Sequence, residues 1–198
     1  MEEINNIEDE RILELRAYFF VPYNISPIQQ GIQAGHALGR FLLRYGRHDP
    51  NHPAWEFLQN HETWIILDGG TTNEQRDFEG FALGSLNQIG DQLMGNDIEF
   101  SFFHEPDLNN ALTALCFIAD ERVFKRSEYP NLVDYILDVK MYPEARAEAP
   151  AENVVALKMM QEEELQELFP EYYKEWVRYV GGVKNVFLRE LIKDKKKA

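Results

Sequence analysis

The chain has 198 residues, with 20 Lys and Arg against 34 Asp and Glu, for a net charge of −14. That length fits one domain with an appendage, and 44% hydrophobic residues can supply a core. The charge works against docking of a long nucleic acid, which depends on neutralising phosphates, and leaves a small ligand or a protein partner in better standing. Nothing reads as a signal peptide, and no apolar run reaches the roughly 20 residues of a bilayer span. The expectation is therefore a cytoplasmic protein with no membrane partner. The single cysteine, Cys116, excludes a disulfide scaffold, and its apolar surroundings mark it as packing rather than a nucleophile.

Residues 1–14 are charged and irregular. Leu15–Val21 is rich in β-formers and ends at Pro22, which predicts the first strand. The stretch Ser26–Arg44 then predicts a helix, with Ser26 as cap and Pro27 in the first turn. At 3.6 residues per turn, Gln29, Gln33, His36, Arg40 and Arg44 share one arc. That arc is either a solvated face or a display of ligand-binding groups. Gly31, Gly35 and Gly39 each cost about 1 kcal/mol relative to alanine in a helix, so close approach to the core is the expected reason for them. Gly46 is placed to close the helix in a left-handed cap.

In the loop after it, His48 and His52 are four apart, but prolines break the segment and no third ligand is evident, so no metal site is assigned. A short helix over Ala54–Asn60 leads to a second, central strand at Trp64–Leu67. Asp68-Gly69-Gly70-Thr71-Thr72 then precedes a helix expected over Phe78–Met94. Gly69, Gly70 and Thr71 form either a phosphate cradle at a helix N-terminus or an ordinary strand-to-helix turn. Ile98–Phe103 and Ala111–Ile118 predict a third and fourth strand, joined as a hairpin by a polar connection containing Glu105, Asp107, Asn109 and Asn110. Residues 121–198 read as a helical extension, with a surface linker near 142–153, helices over Val154–Phe169 and Glu171–Ile192, and a solvated basic tail. A homodimer through these helices, or a host-protein contact, fits that extension.

Gln33-Ala-Gly-His36-Ala37 in the first helix, together with the polar hairpin leading to Leu112-Thr-Ala-Leu115, resembles the type II peptidyl-tRNA hydrolase family, over roughly Leu15–Ile118. A similar Gly-Ile-Gln-Ala-Gly-His-Ala stretch also resembles bacteriophage proteins. The resemblance implies a compact α/β domain with a four-stranded mixed sheet flanked by helices. It maps the family's motif glutamine onto Gln33, its histidine onto His36 and its strand threonine onto Thr113. The catalytic lysine falls on Gln29, and the family's Asp-Ala-Gly-Arg-Thr loop is replaced by Glu105-Pro-Asp107. Losing one oxyanion donor can cost ~10²–10³ in rate. A binding protein is therefore the first expectation: Gln29, Gln33, His36, Arg40, Glu105, Asp107, Asn109, Asn110 and Thr113 would hold a nucleotide-like or other phosphate-bearing ligand, with a bacteriophage role in sequestering a host nucleotide signal as one use. The alternative is a rebuilt peptidyl-tRNA hydrolase in which His36 is general base, Glu105 or Asp107 orients it and Thr113 positions substrate. No cofactor is implied by either.

Overall fold

A computed structural model describes residues 12–140 and 151–198. The expectations for residues 1–11 and for most of the 142–153 linker lie outside the described residues. The core is an α/β layer built on a four-stranded mixed sheet. Its strands are β1 (Leu15–Pro22), β2 (Thr63–Gly70), β3 (Phe100–Glu105) and β4 (Ala111–Asp120), in spatial order β2-β1-β4-β3. β2 runs parallel to β1, and β4 is antiparallel to both β1 and β3.

Side-chain alternation along β1 divides the core in two. Ala17, Phe19 and Val21 face helix α1 (Pro27–Arg44) and pack with Ala34, Ala37 and Phe41. Tyr18 and Phe20 face the other way and pack with Leu86, Ile89 and Leu93 of α3 (Ser85–Gly95). A short helix, α2 (Pro53–Glu56), closes the α1 layer near Phe57.

The start of α1 follows the sequence expectation closely. Ser26 caps it, Pro27 sits at its first position, and Gln29 completes a reciprocal capping box with Ser26. Two expectations about its glycines are corrected. Added β-carbons at Gly31 and Gly39 would meet no atom within 4 Å, and one at Gly35 would meet only the Trp64 ring at 3.9 Å. The glycine row is therefore open rather than pressed on the core. Gly46 is not left-handed either: it is buried under Trp55, whose indole N–H donates to the Gly46 carbonyl at 3.0 Å.

β2 is an edge strand rather than a central one, and Trp64 is partly exposed on it. The tail covers part of that edge. Asp68 N–H donates to the Lys196 carbonyl at 2.9 Å, and Ala198 N–H donates to the Ile66 carbonyl at 3.1 Å. The basic tail is thus paired through its backbone, although its lysine side chains stay exposed.

The helix expected from Phe78 begins only at Ser85. Residues 73–84 instead fold back on themselves as a ribbon: Gly84 N–H donates to the Asn73 carbonyl, Leu83 N–H to Gln75, and Asp77 N–H to Phe81. The Asp77 carboxylate accepts from Glu79 and Phe81 N–H groups, and Gly80 takes φ +91°. Asp and Gly three apart favour such a turn over continued helix. Phe81 and Leu83, which would be apolar positions of the expected helix, are exposed on the ribbon as a result.

The C-terminal extension contains α4 (Glu121–Phe124), α5 (Leu132–Tyr135), α6 (Ala151–Met159), α7 (Glu162–Leu168), α8 (Pro170–Tyr179) and α9 (Val183–Ile192). The expected helix at 154–169 therefore starts earlier and is broken before α7, while Gly181-Gly182 does separate α8 from α9. Trp176 and Val180 pack on Leu132, Tyr135 and Leu165 within the same chain, whereas Val183 is exposed. Leu188 and Leu191 of α9 join the α3-side core. The Trp176 side of α8 is covered by side chains of the same chain. Arg189 is buried at the junction, donating to the Arg122, Tyr129 and Pro130 carbonyls. Among the described residues no helix is long and apolar enough to cross a membrane.

Candidate functional site

The α1 side of the sheet brings together residues far apart in sequence. Gln33 is buried beneath α1, where its Nε2 donates to Glu105 Oε2 at 2.6 Å. Its Oε1 accepts from the Thr113 hydroxyl at 2.8 Å. One amide thus spends both ends on the hairpin, joining a carboxylate on one side to a hydroxyl on the other.

Thr113 reaches Gln33 because of a β-bulge. Phe103 pairs with Ala114, but His104 pairs with Leu112, leaving Thr113 as the extra residue. Regular alternation would turn Thr113 to the α3 side with Leu115 and Phe117. The bulge re-aims it to the α1 side, beside Ala114. Nearby, the Ser101 hydroxyl donates to the Ala37 carbonyl at 2.6 Å and fixes α1 against β3.

Phe103 forms a platform at the edge of this cluster. The His36 ring stacks on it with centroids 4.5 Å apart, and the Arg40 guanidinium lies 4.7 Å from its centroid. Both His36 and Arg40 are otherwise exposed. Arg44, one turn further on, lies over Tyr45. None of His36, Arg40 and Arg44 has a carboxylate within 4 Å among the described residues. The Arg40 and Arg44 guanidiniums, with the His36 imidazole beside them, therefore form a stripe with no carboxylate within 4 Å among the described residues of an otherwise acidic molecule. The strand alternation that turns Phe103 toward α1 was visible in the sequence, but its role as a support for an imidazole and a guanidinium was not.

The other expected residues have different placements. Gln29 is exposed, and its Oε1 accepts from both Ser26 N–H and Ser26 Oγ–H at 3.2 Å, so it serves the helix cap. Asp107 is exposed in the turn Pro106–Leu108. Asn109 and Asn110 take φ 53° and 59°, a left-handed pair that turns the chain into β4 and that asparagine tolerates well. Glu105 and Thr113 join Gln33, while His36 has no carboxylate partner among the described residues.

Gly69, Gly70 and Thr71 lie elsewhere. They end β2, at the opposite edge of the sheet from β3, about 14 Å away by strand spacing. Their donors are used internally: Gly70 N–H goes to Asp68 Oδ1 at 2.7 Å, and Thr71 N–H to Ser85 Oγ at 2.9 Å. A β-carbon on Gly69 would fall 2.6 Å from Leu86 Cδ1, which explains that glycine by packing. These residues therefore serve the end of β2 and its closure on Ser85 and Leu86, with the 73–84 ribbon inserted before α3.

Among the described residues no group of three His, Cys, Asp or Glu side chains is placed to hold a metal ion. His52 is committed on both nitrogens: Nδ1 accepts from Ala54 N–H, and Nε2 donates to Glu99 at 2.9 Å. Cys116 is buried in β4, and burial pushes its thiol pKa well up, out of the nucleophile's range. No protein-family model matches the chain, and no curated protein matches its sequence.

Proposed function

We propose that the chain is a non-hydrolytic binding protein for a small phosphate-bearing ligand, nucleotide-like in size, seated on the α1–β3 surface. One observation carries the reading: Arg40 and His36 are held on a single aromatic ring, with no carboxylate within 4 Å of either among the described residues. A guanidinium supported by cation–π contact is already oriented, so less side-chain entropy is lost when it pairs with phosphate. Paired charges of this kind make hydrogen bonds about twice as strong as neutral ones. The Gln33–Glu105–Thr113 chain beneath gives the surface a fixed floor. Descent from a type II peptidyl-tRNA hydrolase framework belongs to the same proposal, supported by the mixed four-stranded sheet and by Gln33, His36 and Thr113 lying on one side of it.

Ester hydrolysis is not the favoured reading. A histidine general base needs a partner that holds its tautomer and takes up its developing charge. Glu105 is bonded to Gln33 rather than to His36. Gln29, in the lysine position, carries no charge and is engaged in the cap. The net charge of −14 also opposes tRNA.

The test is a thermal-shift panel of mononucleotides, dinucleotides and inorganic pyrophosphate. A ligand present at 100 times its Kd stabilises by about 2.7 kcal/mol, a readable shift. Arg40→Ala and Phe103→Ala are expected to abolish that shift, and His36→Ala to reduce it. A flat panel, or a shift unchanged by Arg40→Ala, overturns the proposal. Release of amino acid from N-blocked aminoacyl-tRNA that is lost in His36→Ala would instead establish the hydrolase.

A further inference from the structure

The opposite side of the sheet holds a hollow of about 410 Å3 between α3 and β3, roofed by the 73–84 ribbon. Small-molecule sites run from ~300 to 1,000 Å3, so the volume is that of a ligand site. Its floor is a row of three rings on one side of β3. Phe100 and Phe102 are 6.4 Å apart between centroids, and Phe102 meets His104 edge-on at 5.3 Å. The row follows from β3 itself, since residues two apart share a side.

The roof is tied at both walls. Arg76 on the ribbon makes a two-pronged ion pair with Asp91 of α3, at 2.9 and 3.1 Å. Glu74 on the ribbon bonds His104 of β3 at 3.1 Å. The ribbon therefore spans the hollow from one wall to the other. It buries little of its own surface: Phe78 at its tip is 96% exposed, and Ala82 is its one buried apolar side chain. A segment with so few buried contacts opens at low free-energy cost.

The charge arrangement selects the occupant. Every ionisable side chain at the rim is already engaged within 3.1 Å: Arg76 is ion-paired with Asp91, and the Glu74 carboxylate is hydrogen-bonded to the His104 ring. A cationic or anionic ligand would have to displace one of these contacts to meet a counter-charge, whereas an uncharged one would not. The geometry points to a binding site for an uncharged, planar aromatic or heteroaromatic molecule of two or three rings, laid against Phe100 and Phe102 beneath the ribbon. This site is independent of the α1–β3 reading, because it lies across the sheet and shares no side chain with it.

The experiment is a fluorescence titration with three probes of one shape: 2-naphthol, uncharged at pH 7, 2-naphthoate, and 2-naphthylmethylammonium. Saturable binding of 2-naphthol is expected, at least tenfold tighter than either charged analogue. Phe102→Ala should weaken 2-naphthol at least tenfold while leaving the melting temperature nearly unchanged, since Phe102 is already partly exposed. Arg76→Ala frees Asp91 and should move the preference at least tenfold toward the ammonium probe, a change that simple loosening of the ribbon would not produce. No saturable binding, equal affinity for all three probes, indifference to Phe102→Ala, or an unchanged preference in Arg76→Ala would each overturn the assignment.

Discussion

Thr113 donates its hydroxyl hydrogen to the side-chain carbonyl of Gln33, 80 residues away, across the interface between the first helix and the last strand. That bond, with the Gln33–Glu105 contact, forms a buried polar chain in which every member has a partner. Gln33→Leu would leave both the Thr113 hydroxyl and the Glu105 carboxylate without the amide. Thr113 keeps the Phe103 carbonyl as an acceptor at 3.3 Å and Glu105 is half-buried, so the cost is mainly that of the charged hydrogen bond, ~1.5–3 kcal/mol in urea unfolding. Thr113→Val should cost about 1 kcal/mol. Because the two residues share one bond, the double variant should cost clearly less than the sum. Additive losses would show that the bond carries no stability.

The glycines of α1 give an opposite prediction. Gly31 and Gly39 face open space, so alanine at either position meets nothing and removes backbone entropy from the unfolded chain. Gly31→Ala and Gly39→Ala should each stabilise by ~0.5–1 kcal/mol. Gly84→Ala should destabilise, because its β-carbon would run into the Asn73 backbone. A loss of stability in Gly31→Ala would mean that the glycine row is covered by something after all.

These glycines also show how far the sequence could be read. The positions of the four strands along the chain and the capping of α1 follow from local signals, β-former runs and a Ser-Pro start. The edge place of β2 does not, and the meeting of Gln33 with Glu105 and Thr113 is implied by the family resemblance and by no local pattern. Gly31, Gly35 and Gly39 carried only a cost, and that cost does not say which neighbour, if any, accounts for it. The bulge at Thr113 left no mark in the sequence either, since it arises from pairing with β3. The 73–84 ribbon did leave one, the Asp77 to Gly80 turn, but the apolar period running through Phe81 and Leu83 into Leu86 masked it. Tail pairing on β2 is a long-range contact without local pattern, so Lys193–Lys197 read as solvated.

Tail pairing has its own consequence. An exposed strand edge is a template for association with another chain, and Lys196–Ala198 shield part of the β2 edge. Deleting residues 195–198 should increase the fraction of larger species in light scattering at high concentration, relative to the intact chain. The melting temperature should fall only slightly, because the backbone loss is confined to the two bonds to β2 and one local bond from Lys195 N–H to the Ile192 carbonyl. An unchanged size distribution would show that the edge needs no such cover.

Acid stability should depend on Asp120. Its carboxylate is half-buried, and burial alone would raise its pKa. The hydrogen bonds and charge of Arg122, with the Asn185 amide, outweigh that and hold it below the usual aspartate value. A group whose folded pKa is depressed stabilises the fold fully above its unfolded pKa, near 3.8. It loses that contribution as pH falls through the folded value. Asp120→Asn should therefore be less stable than the parent at pH 6. The gap should narrow steadily below about pH 4, as the parent's Asp120 takes up a proton and the Arg122 pair is broken. Melting temperatures of both proteins from pH 6 to 3 measure this directly, and a gap that is constant with pH would assign the effect of the substitution to packing rather than to charge.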